Sequence, residues 1–136
     1  MKAVFADTSY WIALLYPPDH LHAKVTSMSR EISTMRLVTS EMVLTELLNT
    51  FSNGSPIMRS IAVHAVEAAR KGHSLIVFPQ TSEQFTKALE RYKRSADKNW
   101  SLTDCASFQI MVTERITAAL TYDHHFVQAG FEALLR

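Results

Sequence analysis

Short apolar runs alternate along this chain with longer segments in which apolar residues recur at helical spacing. The runs are too short and too apolar for surface helices, which is typical of strands buried on both faces of a sheet. The alternation predicts an α/β fold with a mainly parallel sheet of four to five strands covered by helices. Predicted strands span residues 2–6, 36–39, 74–78 and 117–122, with an edge strand at 132–135. Predicted helices span 9–16, 20–33, 41–52, 56–71, 82–96, 102–115 and 124–129.

Capping residues stand at several of the predicted helix ends. Ser40 and Thr81 precede two of the helices, and a hydroxyl there accepts hydrogen bonds from the free N–H groups of a first turn. Pro56 stands at a first-turn position, where its missing N–H is not needed. Gly72 follows the same helix, as a C-terminal cap does. These residues support the predicted helix boundaries.

Length and composition are those of an ordinary globular domain. The chain has 136 residues with no repeat, low-complexity segment or long linker, so residues 1–136 are predicted to form one domain. Apolar residues make up 47% and charged residues 20%, which excludes a disordered chain. The formal net charge is +1, so any affinity for a nucleic acid must come from a local basic patch.

Cysteine content and hydropathy indicate a cytoplasmic protein. Cys105 is the only cysteine, so an intrachain disulfide is impossible and a reducing compartment suits the chain. The first apolar stretch is interrupted by Asp7, and the next one, from Tyr10 to Tyr16, is far shorter than the roughly 18 residues that cross a bilayer. We therefore expect neither export nor membrane association.

Four acidic residues far apart in the sequence stand where an α/β fold would bring them together. Asp7 and Asp123 end apolar runs that are predicted strands, and ligands bind at the carboxyl ends of strands in open parallel sheets. Asp104 opens a predicted helix after Ser101, and Glu46 lies one turn into another helix. Several carboxylates at one point indicate a divalent-metal site, because hard ions such as Mg²⁺ prefer oxygen ligands.

Each acid also has a purely structural interpretation. Asp7 and Asp123 are placed to cap the helices that follow them. Asp104 is placed to complete a capping box with Ser101. Glu46 borders an apolar helix face, and an isolated helical glutamate is usually solvated. Both interpretations remain open for each residue, although several acids at one edge of a sheet favour a shared site.

The four acids lie in four short motifs. In chain order these are Asp7-Thr8-Ser9, Val43-Leu44-Thr45-Glu46-Leu47, Trp100-Ser101-Leu102-Thr103-Asp104-Cys105-Ala106 and Thr121-Tyr122-Asp123-His124-His125-Phe126. Together they closely resemble the PIN-domain ribonucleases, in particular the VapC type of bacterial toxin. The match runs in order from residue 4 to residue 126, and none of the four acids departs from the family pattern.

The resemblance implies a three-layer α/β/α fold and a metal-dependent endoribonuclease that hydrolyses RNA phosphodiester bonds. It makes Asp7, Asp104 and Asp123 the main ligands of Mg²⁺ or Mn²⁺, with Glu46 binding the ion directly or through a water. The hydroxyl groups expected to orient these oxygens are those of Thr8, Ser9 and Thr121. The resemblance also implies the toxin component of a toxin-antitoxin pair, an antitoxin partner and a homodimer.

One stretch of the chain is locally basic. Residues 87–98 contain five basic and two acidic residues, a net charge of +3, which suits an RNA backbone. The contacts would come from Lys87, Arg91 and Arg94. The alternative is a solvated helix face whose apolar side, Phe85, Leu89 and Tyr92, packs on the core. His124 and His125 follow Asp123, but an all-oxygen site needs no imidazole, so we expect no catalytic role for them.

Two other functions remain as alternatives. A signalling receiver domain also holds magnesium with acids at strand ends, but it requires an aspartate after the middle strand, where residues 76–80 supply none. A PIN fold that acts only as an RNA-binding or scaffold module is the second alternative. The intact set of four acids favours the nuclease.

Overall fold

The computed structural model describes all 136 residues and contains five strands and eight helices. The strands are β1 (Ala3–Ala6), β2 (Arg36–Ser40), β3 (Leu75–Phe78), β4 (Ala118–Leu120) and β5 (Glu132–Ala133). The helices are α1 (Thr8–Leu15), α2 (His22–Ser27), α3 (Ser29–Ile32), α4 (Glu41–Thr50), α5 (Pro56–Lys71), α6 (Ser82–Arg94), α7 (Leu102–Thr113) and α8 (His124–Gln128). None of the helices has the length and apolar character that a membrane crossing requires.

The five strands form one sheet in the order β3-β2-β1-β4-β5, and every neighbouring pair is parallel. The predicted α/β fold is therefore confirmed, with five strands, all of them parallel. The chain moves outward from β1 through β2 to β3 and then returns to place β4 on the other side of β1. Such a reversal of strand order opens a crevice at the carboxyl ends of the two strands, where α/β proteins bind ligands.

The two central strands and helix α7 make up most of the core. Residues 4–6 of β1 and all of β4 have no exposed surface. Seven of the twelve residues of α7 are buried, and its Phe108 packs edge-on against Phe126 and Trp100 with ring centroids 4.9 and 5.0 Å away. Burial on several sides fixes α7, and with it the position of Asp104 in its first turn.

The predicted helix caps are present. Ser40 Oγ accepts a hydrogen bond from Val43 N at 3.2 Å, and Thr81 Oγ1 accepts one from Gln84 N at 3.0 Å. Helix α5 begins at Pro56 and ends at Lys71, as predicted.

The predicted helix over residues 20–33 is wrong, since the segment forms two helices, α2 and α3, that meet at Met28. Ser27 Oγ donates to Lys24 O at 2.8 Å, and Ser33 Oγ donates to Arg30 O at 2.6 Å. Hydroxyl groups that bond to carbonyls three residues back compete with the regular helical pattern. The apolar spacing continues through the segment although the helix is interrupted at Met28.

The alternative interpretation of α6 placed its apolar side on the core, and this placement is wrong. Phe85, Leu89 and Tyr92 keep 45%, 41% and 50% of their surface exposed. Only Ala88 is buried, against Cys105 and Ala106 of α7. The larger apolar side chains of α6 therefore remain half-exposed at the surface.

Candidate active site

Two of the four acids lie at the carboxyl edge of the central strands. Asp7 directly follows β1, and Asp123 stands three residues beyond β4. Ala6 is paired with Leu120 in the sheet, so the two strands end side by side. Both residues therefore stand at the edge of the sheet where the strand order reverses, as the sequence pattern predicts.

Asp7 occupies the position before α1, but its side chain makes no capping hydrogen bond. The capping interpretation is therefore wrong for this residue. The side chain is 6% exposed, and its Oδ2 accepts a hydrogen bond from Thr121 Oγ1 at 2.9 Å. A neutral hydroxyl is a weak partner for a buried carboxylate, because it brings no opposite charge.

The electrostatic environment of Asp7 is unusual for an aspartate. Burial raises the pKa of this carboxyl to about 7, against the opposing hydrogen bonds from the Thr8 backbone and the Thr121 side chain. Repulsion from Asp104 and Glu46 raises the pKa further. Three acids from three elements thus act on one another across the crevice, and a cation among them would relieve both the burial and the repulsion.

Glu46 is partly buried on α4, and its Oε1 accepts a short hydrogen bond from Thr8 Oγ1. A freely solvated glutamate would not make this contact with the start of another helix. The hydroxyl of Thr8, itself 6% exposed, therefore ties Glu46 to the crevice beside Asp7.

Asp104 completes a capping box with Ser101. Its Oδ2 accepts from Ser101 N at 3.1 Å, and its backbone N donates to Ser101 Oγ at 3.0 Å. The capping interpretation is confirmed, but these contacts use Oδ2 and leave Oδ1 available. Burial, opposed by the Ser101 hydrogen bond, raises the pKa of the Asp104 carboxyl, and repulsion from Asp123 raises it further. Asp104 therefore belongs to the same electrostatic cluster.

Asp123 caps α8, since its Oδ1 accepts from His125 N at 2.9 Å. Its side chain is more exposed than that of Asp104, 34% against 11%. The repulsion that links it to Asp104 connects the fourth acid to the cluster. A single chain of electrostatic contacts thus runs from Glu46 through Asp7 and Asp104 to Asp123.

Hydroxyl groups join the two sides of this cluster. Thr121 is fully buried, and its Oγ1 donates to Asp7 Oδ2 and accepts from Asp123 N at 3.0 Å. Ser9 Oγ donates to Thr121 Oγ1 at 3.3 Å and accepts from Tyr122 N at 3.2 Å. The structure therefore brings Thr8, Ser9 and Thr121 into the cluster, where the sequence motifs predicted them.

His125 lies in the cluster, although we expected no role for it. Its Nδ1 is 3.0 Å from Asp104 Oδ2 and 3.3 Å from Asp123 Oδ1. The neighbouring His124 approaches only Asp123, at 3.7 Å, and its side chain is 60% exposed. The one signal in the sequence was the spacing of His125, two residues beyond Asp123 in the first turn of a short helix. The contact with Asp104 is tertiary and has no local signature.

The basic residues of α6 lie apart from the acids. Lys87 forms an ion pair with Glu83 at 3.2 Å, and Arg91 Nε donates to Gln109 Oε1 on α7 at 3.2 Å. Arg94 is exposed. Because α6 packs on α7, these side chains lie on the neighbour of the helix that carries Asp104.

Comparison with known protein families places the chain in one of them. The family model of the PIN domain matches residues 4–132 of the chain. This chain belongs to the PIN-domain family. The resemblance inferred from the four motifs is confirmed, and the receiver-domain alternative is excluded.

Solved structures agree with the family. The chain is similar to VapC20 of Mycobacterium tuberculosis, described as a Sarcin-Ricin loop cleaving toxin, with 28% identity and a TM-score of 0.82, over 94% of this chain and 95% of that one. It is also similar to FitAcB from Neisseria gonorrhoeae, with 15% identity and a TM-score of 0.58, over 96% of this chain and 94% of that one. The second likeness concerns the fold alone. Comparison with curated protein sequences gave no significant match.

Proposed function

We propose that this PIN-domain protein is a metal-dependent endoribonuclease that hydrolyses RNA phosphodiester bonds. The observation that carries the proposal is the buried Asp7 carboxylate, which lacks a cationic partner and is repelled by Asp104 and Glu46. Such a group adds nothing to the stability of the fold, since burial of an unpaired carboxylate is costly. A divalent cation at this point makes the arrangement favourable.

The donor set fits Mg²⁺ or Mn²⁺. Both ions prefer oxygen ligands and retain several waters, so a few carboxylates are sufficient. Asp7, Asp104 and Asp123 would hold the ion, with Glu46 as a direct or water-mediated ligand. An ion held there would lower the pKa of a bound water and would neutralise the charge that develops on the phosphate oxygens during hydrolysis.

The protein itself orients these ligands. Thr121 fixes one oxygen of Asp7, and Thr8 fixes one oxygen of Glu46. The capping box fixes the Asp104 side chain relative to α7. Catalytic carboxylates that are held by hydrogen bonds do not have to reorganise when substrate enters, and this lowers the barrier to reaction.

We further propose that the protein is the toxin of a toxin-antitoxin pair, works in the cytoplasm, forms a homodimer and is inhibited by a cognate antitoxin. The likeness to VapC20, a protein described as a toxin that cleaves the sarcin-ricin loop, supports the toxin role. The single reduced cysteine suits the cytoplasm.

The decisive experiment compares RNA cleavage by the wild type with cleavage by Asp7→Asn and Asp104→Asn. Each substitution removes one negative charge with almost no change in volume, so we expect the rate to fall by roughly a hundredfold or more while the fold is retained. Asp97→Asn is the matched control, because it neutralises an acid on the surface near Lys98. Cleavage by a folded Asp7→Asn protein at the wild-type rate would indicate a non-catalytic RNA-binding or scaffold module instead.

RNA binding is proposed to involve Lys87, Arg91 and Arg94 on α6. The exposed aromatic rings of Phe85 and Tyr92 on the same helix support this, because single-stranded nucleic acids bind basic surfaces that also offer rings for base stacking. Changing the three basic residues to Ala should flatten the salt dependence of binding by up to about one unit of slope per lost phosphate contact. Lys71→Ala, an exposed lysine on α5, is the control. An unchanged slope would make this helix a solvated surface.

A further inference from the structure

Two cavities adjoin each other where the chain passes from the end of α6 to the start of α7. Their volumes are about 410 and 540 Å³, within the range of pockets that hold a small ligand. Tyr92, Asn99 and Trp100 line both cavities, while Lys93 lines the first and Ser101 the second. We call the two cavities together the Trp100 pocket.

The ring of Trp100 is held in place by the fold. Its Nε1 donates a hydrogen bond to Gln128 Oε1 on α8 at 3.1 Å. The ring also packs edge-on against the fully buried Phe108 of α7, with centroids 5.0 Å apart and an angle of 79° between the planes. The part of the indole that lines the pocket is therefore a rigid surface. A ligand that stacks on a ring already fixed in this way loses little affinity to ordering of the protein.

The other groups of the pocket correspond to the parts of a nucleotide. Tyr92 exposes half of its surface and supplies a second ring, and aromatic rings stack on nucleobases of any sequence. The exposed amide of Asn99 offers both a donor and an acceptor for the edge of a base. Lys98 is paired with Asp97 at 3.4 Å, so Lys93 is the cation of this pocket that can meet a phosphate.

The Trp100 pocket adjoins the cluster of acids. Ser101 lines the pocket, its backbone N donates to Asp104 Oδ2 at 3.1 Å, and its Oγ accepts from Asp104 N at 3.0 Å. A nucleotide in the pocket thus lies beside the first turn of the helix that carries Asp104. An RNA strand whose phosphate is at the acids can place a neighbouring nucleotide in the pocket.

We propose that the Trp100 pocket binds the base of one unpaired nucleotide of the RNA substrate, next to the phosphate that is hydrolysed. The inference rests on the proposed function and specifies its substrate. A base can stack on Trp100 and Tyr92 only after it has left the stack of a double helix, so the substrate is single-stranded or a loop. Trp100 and Tyr92 position the strand and take no part in the hydrolysis itself.

Nuclear magnetic resonance of the two tryptophan side chains tests the proposal in the wild-type chain. Single-stranded hexauridylate or hexaadenylate, added in chelator so that the RNA stays intact, should shift the indole N–H resonance of Trp100. The resonance of Trp11 should not move, because this ring is buried on α1 and only 7% exposed. The spectrum of Trp11→Phe assigns the two resonances. A strand of the same length that lacks all its bases should leave both resonances in place.

Binding of the same strands to Tyr92→Ala gives a second measurement. Loss of one stacking ring should weaken binding of the better hexamer by about tenfold or more and leave binding of the abasic strand unchanged. Tyr16→Ala, a tyrosine at the end of α1 that is 38% exposed, is the matched control and should bind both strands like the wild type. Equal losses for the two strands in Tyr92→Ala would overturn the proposal, because they would not depend on a base.

The outcomes separate this inference from the proposed function. Protein that cleaves RNA and binds both hexamers without a change at Trp100 would overturn the base pocket and leave the nuclease intact. A free 5′-mononucleotide that binds as tightly as a hexamer and shifts Trp100 equally would assign the pocket to free nucleotides and overturn its role in RNA. Protein that neither binds nor cleaves RNA would overturn both.

Discussion

The four acids of the site fall into two pairs that the protein holds in different ways. Asp7 and Glu46, the hydroxyl-bonded pair, accept hydrogen bonds from the side chains of Thr121 and Thr8. Asp104 and Asp123, the capping pair, accept from backbone N–H groups at the starts of α7 and α8. Both members of the capping pair also contact His125.

The two pairs differ in how the negative charge of their carboxylates is compensated. The start of a helix carries partial positive charge, and an acid placed there is stabilised without a metal ion. Asp7 lacks such compensation, because burial and the repulsion from Asp104 and Glu46 outweigh its hydrogen bonds and raise its pKa. Asp104 and Asp123 therefore also build the fold as helix caps, whereas the side chains of Asp7 and Glu46 cap no helix.

The largest expected effect concerns the pH dependence of stability without metal. Between the ordinary pKa of 3.8 and the folded value of about 7, folded Asp7 holds a proton that the unfolded chain has lost. The free energy of unfolding therefore falls as the pH rises through this window, by on the order of 4 kcal/mol for Asp7 alone. The raised pKa of Asp104 acts in the same direction.

Urea unfolding in chelator from pH 4.5 to pH 7.5 measures this loss. Asp7→Asn removes the titrating group, so its stability should decline much less and exceed that of the wild type near neutral pH. Asp97→Asn should follow the wild type. If Asp7→Asn declines as steeply as the wild type, the burial of Asp7 does not have this energetic consequence.

The second prediction concerns the rise in thermal stability that a divalent ion should cause. An ion that binds only the folded state at roughly 100 times its Kd stabilises the protein by about 2.7 kcal/mol. For a domain of this size that corresponds to a rise in Tm on the order of 10 °C. Thermal melts in chelator and in millimolar Mg²⁺ or Mn²⁺ should show this rise for the wild type and Asp97→Asn but only a small part of it for Asp7→Asn. Equal rises in all three proteins would place the ion elsewhere.

The sequence predicted those features of the site that follow from local pattern. Buried strands are recognised in the sequence by continuous runs of apolar residues. An acid directly after such a run lies at the carboxyl edge of the sheet wherever the strands are parallel. Asp7 and Asp123 were found in this way, and Asp104 was found through its capping box with Ser101. Each of these signals spans only a few residues.

Features that depend on the third dimension were not predictable. The contact of His125 with Asp104 joins α8 to α7, and no sequence pattern near either residue indicates it. The exposure of Phe85 and Tyr92 depends on how closely Ala88 approaches Cys105, which helical periodicity does not report. The break at Met28 has no signal in the apolar spacing, which continues from α2 into α3.

A third prediction concerns the residue that joins the two pairs. Thr121→Val keeps the shape of the side chain but removes the donor to Asp7 and the acceptor for Asp123 N. Leaving buried polar groups without partners costs about 2 kcal/mol. Urea unfolding should show this loss for Thr121→Val and almost none for Thr113→Val, an exposed threonine on α7. Equal stability of the two variants would mean that the pairs are not linked through this hydroxyl.

The smallest expected effect tests whether the helix cap at Asp104 can be weakened without weakening the binding of the ion. Ser101→Ala removes the hydroxyl that accepts from Asp104 N, while Asp104 still accepts from Ser101 N. The loss of a cap costs about 1 kcal/mol. Ser55→Ala, which removes the corresponding cap of α5, is the matched control. Both variants should lose similar stability in chelator. Mn²⁺ should then raise the Tm of each variant by as much as it raises the Tm of the wild type, because neither substitution changes a carboxylate. Loss of the Mn²⁺ effect in Ser101→Ala alone would show that the cap and the ligand position of Asp104 form one unit, and the division between acids that build the fold and acids that serve the ion would not hold.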